Sequence, residues 1–136
     1  MEEKRRITSF QDLEVYQNSY GAMLNVVEHI IPKLPEKEKY DLIDQLNRTC
    51  KAIPRLIAEG YAKRHQRAGF QKYLDDAMAE CNEMVVSLSQ CRDIYSRCVD
   101  LKICGELIDS YDKSGRQIYK LGQAWSNFKK PKDVTH

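Results

Sequence analysis

No apolar run in this 136-residue chain approaches the roughly 18–20 residues of a membrane-spanning helix, so no membrane crossing is expected. Histidine is scarce: His29, His65 and His136 are scattered, and no Glu-x-x-His pair exists to build a di-metal site in a helical core. Glu59 and Glu83 are read as facing inward, but two carboxylates without a histidine make no metal centre. The six glycines are dispersed, which leaves no loop to cradle a phosphate. Five cysteines (Cys50, Cys81, Cys91, Cys98 and Cys104) form an odd set without CxxC spacing. Four or five of them occupy apolar positions of predicted helices, where a free thiol behaves as a small hydrophobe, with no histidine at hand to activate it. A reducing, cytoplasmic compartment is expected, and neither an enzyme nor a bound metal or cofactor. The opening MEEKRRITSF is charged with no apolar stretch behind it, so a secretion signal is not expected.

What the chain does have is helical periodicity. Ile43, Leu46, Cys50, Ile53, Ile57 and Gly60 recur at steps of three and four, with Leu42, Thr49 and Leu56 in a flanking row. Pro54 falls inside this pattern and removes one intrahelical hydrogen bond. Gly60 in mid-pattern points to close helix–helix packing. Upstream, residues 1–8 read as a frayed end, and Ser9 as an N-cap with Asp12 three residues on. A first helix then carries Leu13, Tyr16, Tyr20, Met23 or Leu24, Val27 and Ile30 or Ile31 as its apolar stripe, ended by Pro32 and Pro35. Pro35, Glu36 and Glu38 suit the first turn of the second helix, which runs to about Arg64.

After a turn at residues 65–69, the third helix has the cleanest pattern: Phe70, Leu74, Ala77, Cys81, Met84, Leu88, Cys91, Tyr95 and Cys98. Asp100 is the N-cap candidate of a fourth helix. One row there holds Cys104, Ile108, Tyr111, Gly115, Ile118, Gly122 and Trp125, and a second holds Leu107, Ser114, Leu121 and Phe128. The tail KKPKDVTH reads as disordered. No stretch alternates at period two. The expected fold is a single all-α domain over 1–136, with its core at about 10–128: an antiparallel up-down-up-down four-helix bundle. Double apolar rows exceed what such a bundle needs, so Leu42, Thr49, Leu56 and Glu59 are read as an oligomer interface.

The near-neutral total of +2 hides a segmented distribution. Residues 46–73 carry Arg48, Lys51, Arg55, Lys63, Arg64, Arg67 and Lys72 against Glu59 alone, while residues 74–112 carry nine acids against three bases. Either the two segments attract one another, within the bundle or between subunits, or the seven cations present a surface to a phosphate backbone. Aromatic residues beside them follow core patterns, which argues against base stacking.

Several motifs align with a known family. Phe10, Leu13, Tyr16 and Gln17 resemble its opening F-x-x-L-x-V-[YW]-Q, and Leu34-Pro35 with Glu38 and Tyr40 resembles its LP-x-x-E-x-Y turn. Gln45-Leu46-x-Arg48, Ile53-Pro54 and Ile57-Ala58-Glu59-Gly60-Tyr61 resemble QL-x-R…SIP-x-NIAEGY, and Glu83-Met84 its E-L pair. The chain thus resembles the four-helix-bundle proteins encoded by intervening sequences of bacterial 23S rRNA genes, a family similar in fold to the accessory protein of diversity-generating retroelements. Four positions depart from the pattern: Ala52 replaces Ser, Leu56 replaces Asn, and Ala79-Glu80 replaces Gly-Ser. The resemblance implies a homopentameric ring without enzymatic activity. It also implies RNA or other nucleic acid as partner, or alternatively a protein partner such as a reverse transcriptase.

Overall fold

In the computed structural model, residues 6–66 and 68–129 are described; most of the expected frayed start, Arg67 and nearly all of the polar tail lie outside the described residues. Four helices, α1 (Glu14–Asn25), α2 (Leu42–Ala62), α3 (Gly69–Ile94) and α4 (Leu101–Lys129), form an antiparallel up-down-up-down bundle. α3 packs on α2 and α4, and α1 closes the other side against the same two helices. Among the described residues there is no strand.

α3 follows its heptads. Phe70, Leu74, Ala77, Cys81, Met84, Leu88 and Cys91 are all buried. Leu74 sits between two glycines: a Cβ on Gly60 of α2 would lie 3.2 Å from Leu74 Cδ2, and one on Gly122 of α4 would lie 3.5 Å from Cδ1. These glycines admit the leucine where three helices converge. The helix stops at Ile94, short of the expected Cys98, so Tyr95 caps it and Cys98 is exposed in the following turn. Asp100 then caps α4 as expected, accepting from the N–H groups of Lys102 (3.0 Å) and Ile103 (3.1 Å). In α4 the buried line draws on both expected rows: Cys104, Leu107, Tyr111, Ser114, Ile118 and Gly122. The side chain of Phe128 lies outside the described residues.

α2 buries Leu46, Cys50, Ile53, Ile57 and Gly60, and runs unbroken through Pro54. Its flanking row is not in excess. Leu42 and Thr49 are buried within the chain, Leu56 is half-buried against the core, and only Glu59 is exposed. α1, α3 and the short turns before α2 together take up more of its circumference than a two-row seam suggests.

The first helix departs most from expectation. Ser9 does cap, accepting from Gln11 N–H at 3.2 Å, while Asp12 accepts from Ser9 N–H at 3.1 Å. Thr8, expected to fray, is tied to the same carboxylate at 2.9 Å. That capping box opens only a 3-10 turn, Phe10–Asp12; Leu13 is extended, and α1 starts afresh at Glu14. The helix then widens into a π-type turn at Val26–Ile30 and tightens again at Ile31–Lys33. Leu13 and Ile30 of the expected stripe are buried, but the fully buried line between them is Val15, Ser19, Ala22 and Val26; Tyr16, Met23, Val27 and Ile31 pack half-buried at its edge, and Tyr20 is exposed. Small Ser19 and Ala22 let the backbone approach α2 and α4, which leaves Tyr16 half-buried at the edge of the core and Tyr20 exposed.

Between α1 and α2, Glu36–Glu38 forms a separate 3-10 turn, so α2 begins at Leu42 and not at Pro35. Glu38 joins three elements: its carboxylate accepts from Leu42 N–H (3.2 Å) and from the Tyr95 hydroxyl at the end of α3. The Tyr95 bond, then the Leu42 bond, holds the Glu38 carboxyl below the usual carboxylate range, and the same contact pushes Tyr95 up to about 12.

Candidate nucleic-acid interface

The basic segment divides by what each cation already touches. Arg48 donates from Nε to Asp44 one turn away (3.0 Å), and Lys72 pairs with Asp76 (3.6 Å). Arg64 lies with its guanidinium 3.8 Å from the Tyr61 ring centroid and donates to the Tyr61 carbonyl at 2.7 Å, closing the C-terminus of α2. Lys63 beside it is half-buried at the same helix end, where the dipole favours cations. Arg67 lies outside the described residues. Lys51 and Arg55 remain: both are exposed on α2, one turn apart, and neither forms an ion pair among the described residues.

The acidic segment does not neutralise them. The described Lys–Asp, Lys–Glu and Arg–Asp pairs (Arg48–Asp44, Lys72–Asp76, Arg92–Asp93, Lys102–Glu106 and Arg116–Asp112) each lie within one helix. None of these joins two helices. Exposed pairs of this kind contribute about 0–1 kcal/mol, so attraction between segments is not what holds this bundle together.

Lys51 and Arg55 stand beside aromatic rings that core patterning assigns to the interior. A groove of about 480 Å³ between α1 and α2 is lined by Phe10, Tyr16, Tyr20 and Met23 on one wall and by Lys51, Pro54, Arg55 and Ala58 on the other. Tyr16 meets Phe10 edge to face at 4.9 Å, and Tyr20 lies tilted 5.8 Å beyond it. Tyr20 is 43% exposed. The signal for this groove in the sequence is Ser19 and Ala22, whose helical spacing with Val15 and Val26 competes with that of the tyrosines. Reading α1 by its smallest residues turns the rings outward.

The motif residues have structural tasks. Gln45 of α2 donates to Glu83 of α3 at 2.6 Å. Gln17 donates to the Gln11 carbonyl at 2.9 Å, holding the N-terminal turn on α1. Tyr61 and Phe70 both meet Trp125 edge to face, at 6.1 and 5.4 Å, and close one end of the bundle. Glu59 and Glu83, expected to face inward, are exposed. Among the described residues no three of His, Cys, Asp and Glu converge as metal ligands do, and no helix is long and apolar enough to cross a membrane. Burial pushes the Cys50 thiol up to about 11 and those of Cys81 and Cys91 to about 12, which keeps them protonated and unreactive.

Neither the curated proteins nor the solved structures give a match to the chain. The 23S rRNA-intervening sequence protein family matches residues 11–125, from the turn before α1 to the aromatic contact that closes the bundle. The chain belongs to that family.

Proposed function

We propose that this protein is a non-enzymatic scaffold that self-associates and binds structured RNA through the basic face of α2. The observation carrying this reading is the pair Lys51 and Arg55, exposed and without ion-pair partners among the described residues, on a surface where Arg48, Lys72 and Arg64 are already engaged. Two unpaired charges per chain make a weak site. Repeated by oligomer symmetry they make a belt, and the family resemblance suggests a ring of five. Five free thiols fit a reducing compartment such as the cytoplasm.

Binding of a structured RNA should fall steeply with salt, since each phosphate neutralised adds about 0.7–0.9 to the logarithmic slope. Lys51→Glu with Arg55→Glu should abolish retention at low salt and leave the helical circular dichroism unchanged. Arg64 is unsuited to that test, because it also closes α2. A parent protein that fails to retain RNA at low salt overturns the reading, and a protein partner such as a reverse transcriptase, captured by pull-down, then replaces RNA.

A further inference from the structure

We propose that the groove between α1 and α2 holds an unpaired nucleotide of the bound RNA, its base against Tyr20 and Tyr16 and its phosphate between Lys51 and Arg55. The inference rests on the RNA-binding reading and narrows it from a phosphate surface to a pocket for a single-stranded residue.

The groove is chemically two-sided. Its α1 wall is a run of π faces and a thioether: Phe10, Tyr16, Tyr20 and Met23. Tyr16 is fixed by its edge contact with Phe10, so the wall is preorganised, while Tyr20 keeps much of its ring open to solvent. Pro54 and Ala58 add apolar surface without polar side-chain atoms, and Pro54 has no backbone N–H, so nothing there competes for hydrogen bonds with a base edge. The cations flank Pro54 in the chain: Lys51 comes about one turn before it, and Arg55 follows it directly. Among the described residues no carboxylate lines the groove. Its 480 Å³ falls in the roughly 300–1,000 Å³ range of small-molecule sites.

The other grooves lack this combination. The one between α2 and α3 carries Asp41 and Glu83, the one between α1 and α4 carries Glu106, and the one beside Gly122 carries no charged side chain. A further one on α3 and α4 sets Lys120 beside Tyr119, but its lining includes the carboxylate of Asp112, which pairs with Arg116, so among the described residues one free cation stands there and not two. Uncompensated positive charge beside exposed rings is what base stacking with phosphate neutralisation requires. An apolar peptide would leave the two cations without a counter-charge.

Fluorescence anisotropy at fixed low salt tests this with three RNA probes of equal phosphate count: a short oligouridine, the same backbone with abasic residues, and a blunt duplex. The parent should bind oligouridine about tenfold tighter than the abasic strand, the scale of one stacked base. Tyr20→Ala should erase that ratio and Tyr20→Phe should keep it, while Lys51→Ala with Arg55→Ala weakens all three probes. Equal affinity for oligouridine and abasic strand overturns the nucleotide pocket but leaves the RNA-binding reading standing. Loss of all binding in the parent overturns both. A change of assembly mass in Tyr20→Ala, by light scattering, also overturns the proposal, because it gives the groove to a second copy of the chain.

Discussion

A single thiol should report on the packing of this protein. Cys50, Cys81, Cys91 and Cys104 are buried and have their thiols raised by desolvation, whereas Cys98 lies exposed in the turn after α3. A chromogenic thiol reagent added to native protein near neutral pH should therefore modify one cysteine quickly and the rest only after denaturant. Cys98→Ser should abolish the fast phase; rapid titration of several thiols would contradict the core described above. Glu38 offers a second residue-level reading. Its carboxyl is held below the unfolded value of 4.5 by Tyr95, so its ionised form favours the folded state. That contribution is fully present above the unfolded value and disappears as pH falls through the lower folded one. Tyr95→Phe should lower the urea midpoint at neutral pH, and the gap from the parent should close once Glu38 is protonated in both proteins.

At the scale of elements, the long buried helices are legible in the sequence and the edge helix is not. α3 is packed against helices on both sides, so its apolar residues have to recur at three and four, and its heptads read correctly from Phe70 to Cys91. α1 packs less extensively, and close approach there selects small residues, so the buried line includes Ser19 and Ala22. Hydrophobicity alone favours Tyr16 and Tyr20, and that preference hides the pocket they line. The cations of α2 are legible as a set. Which of them are already engaged is not, because partners such as Asp44 for Arg48 depend on side-chain geometry. Glycines sort by the same packing logic. A Cβ added at Gly21 in α1 or Gly105 in α4 would meet nothing within 4 Å, so Gly21→Ala and Gly105→Ala should each stabilise by about 0.5–1 kcal/mol through helix propensity. Gly60→Leu should instead destabilise by about 1–3 kcal/mol, since its side chain would press on buried Leu74. Chemical denaturation of the three variants separates open helix surface from closed helix contact.

For the whole molecule, the proposed ring rests on less surface than the apolar rows suggest. Leu42 and Thr49 are buried within one chain, so they cannot be the reason a second chain is needed. Glu59 is different: it is exposed, forms no ion pair among the described residues, and stands one turn from both Arg55 and Lys63 on α2. An exposed carboxylate without an ion-pair partner among the described residues is available to a basic group of a neighbour. These placements separate assembly from folding. Leu42→Ala should cost about 2–5 kcal/mol of stability whether or not chains associate, because it empties a core position. Glu59→Lys should leave the denaturation curve of the single chain nearly unchanged and lower the assembly mass. Light scattering behind gel filtration at micromolar concentration should give five times the 15.9 kDa of one chain for the parent, and a smaller mass for Glu59→Lys. A parent running as a single chain excludes the ring, and Lys51 and Arg55 would then have to bind RNA two charges at a time. A pentamer indifferent to Glu59→Lys would place the subunit contact elsewhere, with exposed Ile94 and Leu101 beside the α3–α4 turn the next residues to mutate.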